Sequence, residues 1–168
     1  MLKLKSLAFT SLLALAACQP IGPHQIGPDG QPGGSGLGGR EAAQVHDRML
    51  EQINQLRSNI GASPMVRNTQ LDSAASAHAR DMAAQNRAWH FGSDGTSPLD
   101  RVRRAGFMGT LIGENISETY EKDIETLNAW MQTRQTRDII MDTRASQLGV
   151  GWFEESGGKL WWVLITGS

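Results

Sequence analysis

The sequence has one cysteine, no excess of positive charge and no long hydrophobic run. Because Cys18 is the only cysteine among 168 residues, no disulfide can form within the chain. Its 16 lysines and arginines are balanced by 17 aspartates and glutamates, so no basic surplus points to nucleic acid. The apolar stretch from Leu7 to Ala17 is too short to span a bilayer. A disulfide-stabilised domain is therefore excluded, and neither nucleic-acid binding nor a membrane-spanning helix is indicated.

The amino terminus instead has the pattern of a secretory signal. Lys3 and Lys5 precede the apolar stretch, which ends in Leu15-Ala16-Ala17-Cys18. This ending resembles a bacterial lipobox, so we expect residues 1–17 to be removed and Cys18 to carry the lipid as the first mature residue. Membrane association then comes from acyl chains on Cys18. An ordinary signal peptide with a chance cysteine is the alternative.

The residues after Cys18 predict a tether followed by one domain. Residues 19–39 contain eight glycines and four prolines and almost nothing to bury, as is typical of a flexible linker. Residues 40–168 remain to build a single domain with one hydrophobic core. Gln19, in place of an aspartate retention signal, favours the outer membrane, with the domain facing the periplasm.

Hydrophobic periodicity predicts helices followed by a terminal hairpin. A stripe of apolar residues from Val45 to Ile60 recurs at helical spacing, and a second helix is capped by Asn68 or Thr69 and runs to about Asn86. Further predicted elements are a two-turn helix at 98–105, a strand at 111–117, a long helix from near residue 120, a helical turn at 136–141, and a hairpin of 148–153 with 160–166. This order predicts an α+β layered domain.

The stretch from Trp89 to Val102 is the strongest candidate for a functional site. It is too polar and too rich in glycine to be core, and Gly113-Glu114-Asn115-Ile116 adds a second acidic segment. Ser97 predicts a capping box that begins a short helix at Pro98, so the loop should be ordered.

Four side chains near this stretch are assigned structural roles. We expect His78, on the buried stripe of the second helix, to be a hydrogen-bonded core histidine. Arg101, Arg103 and Arg104 are interpreted as the solvated face of the short helix.

These segments together resemble the CAP superfamily of cysteine-rich secretory, antigen 5 and pathogenesis-related-1 proteins, in its bacterial, cysteine-free form. The resemblance rests on His-Phe-Gly-Ser-Asp-Gly-Thr-Ser-Pro from His90, on Ala105-Gly106-Phe107, on the Gly-Glu-Asn-Ile segment and on the later helix with Trp130. It covers about residues 44–168. It implies a three-layer α-β-α sandwich that ends in a β-hairpin.

The resemblance also implies a cleft that contains His90 and Glu114. In many members these positions join a second histidine, and often a second acid, around a divalent metal such as zinc. Here Thr136 stands where bacterial relatives carry that histidine, and Arg137 is kept beside it. Because a neutral hydroxyl is a poor ligand for a transition metal, we expect a degenerate site and no cofactor.

In such a site His90 and Glu114 would hydrogen-bond each other in a polar cleft completed by Asn115, Asp94, Thr136 and Arg137. A missing metal ligand supplied by Asp94 or Asp138 is one alternative. In another, Glu114 accepts backbone N–H bonds and pins the central loop to the sheet.

The functional expectation is a non-enzymatic binding module. The sequence contains neither a Gly-x-Ser-x-Gly elbow nor a His-Glu-x-x-His helix, so no serine or zinc hydrolase is signalled. By analogy with the family, the ligand is a lipid, glycan or peptide of the cell envelope, bound by a monomer. The alternatives are a metal-assisted or His/Glu-based hydrolase and an envelope protein-interaction module.

Overall fold

The computed structural model describes residues 39–119 and 121–168, so the predicted signal segment, Cys18 and nearly all of the tether lie outside the described residues. In chain order the elements are α1 (Gly39–Ser58), β1 (Val66–Arg67), α2 (Thr69–Gln85), α3 (Pro98–Arg104), β2 (Leu111–Thr119), α4 (Asp123–Gln132), α5 (Arg134–Met141), β3 (Gln147–Glu154) and β4 (Leu160–Gly167). Within this part of the chain, no helix is both long and apolar enough to cross a membrane.

The four strands form one sheet in the order β1-β3-β4-β2. β3 and β4 are antiparallel neighbours, which confirms the predicted terminal hairpin. β2 pairs antiparallel with β4 on its other side, and β1 adds a short parallel pairing to β3. β4 is therefore a central strand, and all eight of its residues are buried.

Helices cover both faces of the sheet, which confirms the predicted three-layer sandwich. Along β4, Leu160, Trp162 and Leu164 pack with α1, α4 and α5, on the side called here the α1 face. The intervening Trp161, Val163 and Ile165 pack with α2 and α3, on the side called the α2 face. This alternation follows from the two-residue period of a strand, and it explains why β4 is apolar throughout.

α2 lies directly against β3. Its first turn is capped by Asn68, whose side chain accepts hydrogen bonds from the backbone N–H groups of Gln70 and Leu71. A Cβ atom on Gly149 or Gly151 of β3 would collide with the backbone of α2. Because these two glycines carry no side chain, the backbone of α2 can lie close to the sheet.

Two helix boundaries differ from the prediction. α4 begins at Asp123 rather than near residue 120, because β2 continues to Thr119 and the Thr119 hydroxyl accepts a hydrogen bond from the backbone N–H of Glu121 in the following turn. α5 begins at Arg134, two residues before the predicted turn. Pairing with β4 extends β2 beyond the limit that its own residues indicate.

A buried arginine joins α1 to the segments around α5 and β3. Arg57 is 0% exposed, and its guanidinium donates to the carbonyl oxygens of Ser63, Ile140, Asp142 and Ala145 at 2.8 to 3.0 Å. Burial lowers the pKa of Arg57, and the nearby Asp142 charge opposes that shift. The side chain thus acts as a clamp, which the sequence analysis did not predict.

Candidate functional site

His90 is placed by the loop that follows α2. Asn86, in the left-handed conformation, caps the carboxyl end of α2, and the Arg87 guanidinium lies 3.7 Å from the centroid of the Trp89 ring. The carbonyl oxygen of Trp89 lies 2.9 Å from Nε2 of the buried His78. These contacts fix the loop on both sides of His90, whose side chain is 51% exposed.

Glu114 lies on β2 with its carboxylate toward the α2 face. It pairs in register with Ile165, and its side chain is buried. Nδ1 of His90 is 2.9 Å from Oε1 of Glu114, so the predicted hydrogen bond between these side chains is present. Within the described residues, the hydrogen-bond partners of this carboxylate are the side chains of His90 and Arg101. The alternative, in which Glu114 accepts from backbone N–H groups, is therefore not supported.

The main partner of Glu114 is Arg101, and here one sequence interpretation was wrong. Nη2 of Arg101 lies 2.9 Å from Oε1 and 2.7 Å from Oε2 of Glu114, and Nη1 donates to the carbonyl oxygen of Thr96. Arg101 is only 8% exposed, whereas the sequence predicts it on a solvated face with Arg103 and Arg104. α3 turns Arg101 and Val102 toward the sheet, so the arginine neutralises the buried carboxylate.

A signal for this pair exists in the sequence. A glutamate predicted in a buried strand needs a cation or several donors, because an unpaired buried charge is strongly unfavourable. The arginines of the preceding short helix were the nearest cations in the chain. Sequence reasoning did not select Arg101 among the three.

His78 is a buried, hydrogen-bonded histidine, as predicted. It is 0% exposed, and since the Trp89 carbonyl can only accept, Nε2 carries the hydrogen and Nδ1 is left as a bare acceptor. Burial lowers the pKa of His78, although the Glu114 charge, 3.9 Å from Nε2, opposes the shift. His78 is therefore a neutral neighbour of the ion pair.

The residues present do not fit the divalent metal that the resemblance implies. Both oxygens of Glu114 are bound by the guanidinium of Arg101, whose positive charge would repel a metal ion at the same carboxylate. In residues 39–119 and 121–168, no group of three or more His, Cys, Asp or Glu side chains could hold a metal ion. A third ligand and a free carboxylate are both lacking in this part of the chain.

The remaining predicted cleft residues are divided between the two faces of the sheet. Asn115 follows Glu114 in β2 and points to the α1 face, where its Nδ2 donates to the carbonyl oxygen of Thr136. The Thr136 hydroxyl donates to the carbonyls of Trp130 and Thr133, and Arg137 is half-exposed. The structure thus brings His90 and Glu114 together, while Thr136 contacts Asn115 through its backbone.

Asp94 belongs to the rim of a groove beside the ion pair. Its carboxylate accepts from the Thr96 hydroxyl and backbone, and it pairs with Arg104 at 2.9 Å. The bonds from Thr96, then that from Arg104, lower the pKa of Asp94. The groove, called here the α2–α3 groove, lies between α2, residues 93–96 and α3, and has a volume of about 390 Å³.

The fold and this site define a class of protein. A sandwich of α, β and α layers carries a histidine from the loop after α2 beside a glutamate of an edge strand, with a C-terminal hairpin at the centre of the sheet. The family model of the cysteine-rich secretory protein family (CAP) matches residues 50–166, which is more than half of the chain. The chain belongs to the CAP family.

Individual relatives agree with this assignment. The chain is 28% identical over 114 residues to the protein YkwD of Bacillus subtilis, an alignment that covers 68% of this chain and 44% of YkwD. The chain therefore spans less than half the length of that relative.

Two solved structures show the same fold. One is an extracellular protein of Bacillus anthracis that contains an SCP domain, with a TM-score of 0.69, 19% identity, and coverage of 87% of this chain and 45% of that one. The other is an outer surface protein of Borrelia burgdorferi, with a TM-score of 0.68, 16% identity, and coverage of 74% and 92% respectively.

Proposed function

We propose that this chain is a lipid-anchored, extracytoplasmic CAP-domain protein that binds a ligand of the cell envelope, a lipid, glycan or peptide, without catalysing its conversion. The observation that carries the proposal is the buried pair of Arg101 with Glu114. In this pair the Glu114 carboxylate is already bound by Arg101, and this is the carboxylate that a metal-dependent or base-catalysed reaction in the cleft would use.

The location is supported by the amino-terminal sequence and by the relatives. Residues 1–17 have the pattern of a lipoprotein signal, and Cys18 stands where the lipid would be attached. Gln19 favours the outer membrane, with the domain facing the periplasm. Proteins of similar fold are described as extracellular in Bacillus anthracis and as an outer surface protein in Borrelia burgdorferi.

The closed ion pair argues for binding rather than catalysis. A general base needs a lone pair that is free to take a proton. Each oxygen of Glu114 already faces the Arg101 guanidinium, and Oε1 also faces Nδ1 of His90. Charge-assisted bonds of this kind hold a side chain in one geometry, which suits a preformed recognition surface.

One observation favours a hydrolase as a second candidate. The carboxylate of Glu114 meets Nδ1 of His90, as the acid of a catalytic triad meets its histidine, and the exposed ring of His90 leaves Nε2 for a substrate. A triad also needs a nucleophile. In the described ranges no serine or threonine hydroxyl is hydrogen bonded to His90, so activated water would have to fill that role.

Two measurements on the same preparation separate these functions. The chain is extracted from its envelope in mild detergent, and the small molecules bound to part of the preparation are identified by mass spectrometry. The rest of the purified chain is incubated with envelope extract, and the formation of products is followed. We expect a small molecule to copurify with the chain, and we expect the same molecule, chemically unchanged, to be recovered after the incubation. Turnover that is lost in His90→Ala and retained in the exposed control Arg80→Ala would establish the hydrolase instead.

A zinc titration tests the metal side of the proposal. We expect no micromolar zinc binding to the wild-type chain in a calorimeter, because Arg101 occupies the carboxylate. Tight zinc binding that disappears in His90→Ala would refute the hypothesis that the metal site is degenerate.

A further inference from the structure

β2 is an edge strand, and every second residue along it turns its backbone away from the sheet. The strand runs from Leu111 to Thr119 and stands at the end of the order β1-β3-β4-β2, next to β4. In an antiparallel pair, successive residues point their N–H and C=O groups alternately toward and away from the neighbouring strand. Half of the backbone groups of β2 therefore face outward, beyond the sheet.

The pairing with β4 identifies the outward residues. Thr110 and Ser168 exchange two backbone hydrogen bonds just beyond the ends of the two strands, so the even-numbered residues of β4 bond to β2. Trp162 is one of them, and it lies opposite Ser117. Ser117 is thus bonded to β4, and the residues on either side of it turn outward. By the same alternation, the outward residues of β2 are Glu114, Ile116 and Glu118.

Most of the groups at the carboxyl half of this row are free. The Ile116 carbonyl oxygen accepts from the indole N–H of Trp130 at 3.2 Å, which confirms that it faces away from β4. Within residues 39–119 and 121–168, no hydrogen bond uses the N–H of Ile116 or the N–H and C=O of Glu118. Ile116 is half-buried and Glu118 is exposed. The outward groups of these two residues, called here the β2 edge, are therefore donors and acceptors without a partner in the described chain.

The spacing of these groups selects an extended peptide as the ligand. Two residues of a strand span about 6.8 Å, so N–H and C=O groups recur along the β2 edge at that interval. The backbone of an extended polypeptide has the same repeat, and addition of a strand to an open sheet edge is a general mode of peptide recognition. An acyl chain offers no hydrogen-bonding groups to such a row.

The β2 edge lies beside the contact of His90 with Glu114. Lys159 joins the Glu118 carboxylate to the side chain of Asn86, at the carboxyl end of α2. A few residues later in the same loop, His90 contacts the Glu114 carboxylate. The loop after α2 thus accompanies β2 from Glu118 to Glu114, and a strand added at the edge would lie next to the exposed ring of His90.

Charges along β2 favour a basic partner strand over a second copy of this chain. Lys159 is shared between Glu118 and Glu155, at 3.1 and 3.5 Å, so one ammonium group meets two carboxylates. The Glu118 side chain is still 40% exposed. Two copies paired about Ile116 would place Glu114 of each opposite Glu118 of the other, and like charges directly opposite are unfavourable. A basic side chain opposite Glu118 would be favourable instead.

From these features we infer that the β2 edge binds an extended peptide segment of another envelope protein as an added strand, with an apolar side chain opposite Ile116 and a basic one opposite Glu118. The peptide carbonyls accept from the N–H groups of Ile116 and Glu118, and a peptide N–H donates to the Glu118 carbonyl. This inference rests on the proposed binding role and names a peptide as its ligand.

Amide nuclear magnetic resonance tests the inference directly. The purified chain is titrated with the peptide acetyl-Thr-Lys-Thr-Val-Thr-Lys-Thr-amide. We expect the amide signals of Ile116 and Glu118 to shift with saturation, at a Kd of about 1 mM. Their hydrogen exchange should slow about tenfold at saturation, because they gain acceptors, whereas the amide of Ser117, already bonded to β4, should change little.

A matched pair of peptides tests pairing through the main chain. N-methylation of the valine removes a donor that faces β2, whereas N-methylation of the threonine after it removes a donor that faces away. We expect affinity to fall about tenfold or more with the first peptide and less than about threefold with the second. Both peptides are tested on the wild-type chain, so this comparison does not depend on the folding of a variant.

A matched pair of variants locates the site on β2. Glu118→Pro removes the outward N–H and leaves the bonds between β2 and β4 in place, since proline is tolerated at a strand edge. Glu118→Ala removes the same carboxylate and keeps the N–H. We expect affinity for the unmodified peptide to fall about tenfold or more in Glu118→Pro and about two- to threefold in Glu118→Ala. Urea denaturation checks that both variants are folded.

Several results would overturn the inference. No shift with the unmodified peptide up to about 10 mM, well above the expected Kd, would refute the site. Equal affinities of the two N-methylated peptides would refute strand addition. Tighter binding of a peptide with glutamate in place of both lysines would refute the basic partner. Slow exchange of the Ile116 and Glu118 amides that appears only at high protein concentration, without peptide, would replace the partner by a second copy.

The same variants separate this inference from the proposed function. An envelope ligand that still copurifies with Glu118→Pro would leave the binding role standing without the β2 edge. Cleavage of the bound peptide would retain the edge as a peptide site and refute the role of binding without conversion.

Discussion

Among the described side chains, each face of the sheet buries one arginine, and the two arginines have different partners. On the α1 face, Arg57 is surrounded by four backbone carbonyls that use its donors. On the α2 face, Arg101 donates to the Glu114 carboxylate and the Thr96 carbonyl, and its buried Nε has no hydrogen-bond partner among the described residues. The first arginine is held by backbone groups alone, whereas the second is paired with another buried side chain.

This difference separates a charge that is held by the backbone from one that depends on a second side chain. Backbone carbonyls cannot be changed by a side-chain substitution, so the Arg57 clamp is fixed by the course of the chain. The Arg101–Glu114 pair consists of two side chains beside an exposed histidine and a groove. Substitutions should therefore affect stability most on the α1 face and ligand binding most on the α2 face.

The largest loss of stability is expected from Arg57→Met. Methionine fills part of the volume but leaves four carbonyl oxygens without their donor, so we expect the free energy of unfolding to fall by about 3 to 4 kcal/mol. Urea denaturation of this variant beside the exposed control Arg80→Met measures the effect. Equal stability of the two variants would refute the clamp.

Arg101→Met should cost somewhat less, and a second substitution should repair it. The single change leaves the Glu114 carboxylate buried without its cation, and we expect a loss of about 2 to 3 kcal/mol because the bond from His90 compensates in part. Removing the carboxylate as well, in Arg101→Met with Glu114→Gln, should restore about half of it. The same denaturation experiment applies, and strictly additive losses would contradict the ion pair.

Acid should destabilise the protein through His78. Burial lowers the pKa of His78 in the folded state below its usual 6.5, so the unfolded state binds the extra proton first. The contribution is fully present above pH 6.5 and is lost as the pH falls below it, with a slope of at most about 1.4 kcal/mol per pH unit.

Thermal denaturation of the wild-type chain and of His78→Gln between pH 7.5 and about pH 5 tests this contribution. The variant should lose less stability over that range than the wild type. His46, whose pKa is also lowered by burial, remains in both proteins and provides the common background. Parallel pH profiles would exclude His78 as the source.

The smallest effect is expected from Thr136→His. The substitution removes the hydrogen bonds from the hydroxyl to Trp130 and Thr133, so the free energy of unfolding should fall by about 1 kcal/mol. It also restores the family's histidine at a position whose backbone carbonyl accepts from Asn115 of β2. We expect no gain of zinc affinity, because Arg101 still holds Glu114. Micromolar zinc binding in this variant would show that a histidine here reaches the α2-face carboxylate.

The elements of the fold were largely predictable because their signals are local. Asn68 as a cap and the capping box at Ser97 each act within a few residues, and the structure confirms the helices that they begin. The end of β2 was not predictable, since pairing with β4 extends it. The hydrogen bond of His90 to Glu114 was expected from the family resemblance rather than from local pattern.

The sequence by itself determined most of the helices and strands, because periodicity and caps are properties of the chain, and its resemblance to the CAP family implied that His90 and Glu114 lie near one cleft. Only the tertiary structure decided which arginine is buried with Glu114, which face each cleft residue joins, and which polar atoms remain unpaired. These outcomes depend on how α2 and α3 are rotated against the sheet, and that rotation follows from the packing of several elements together.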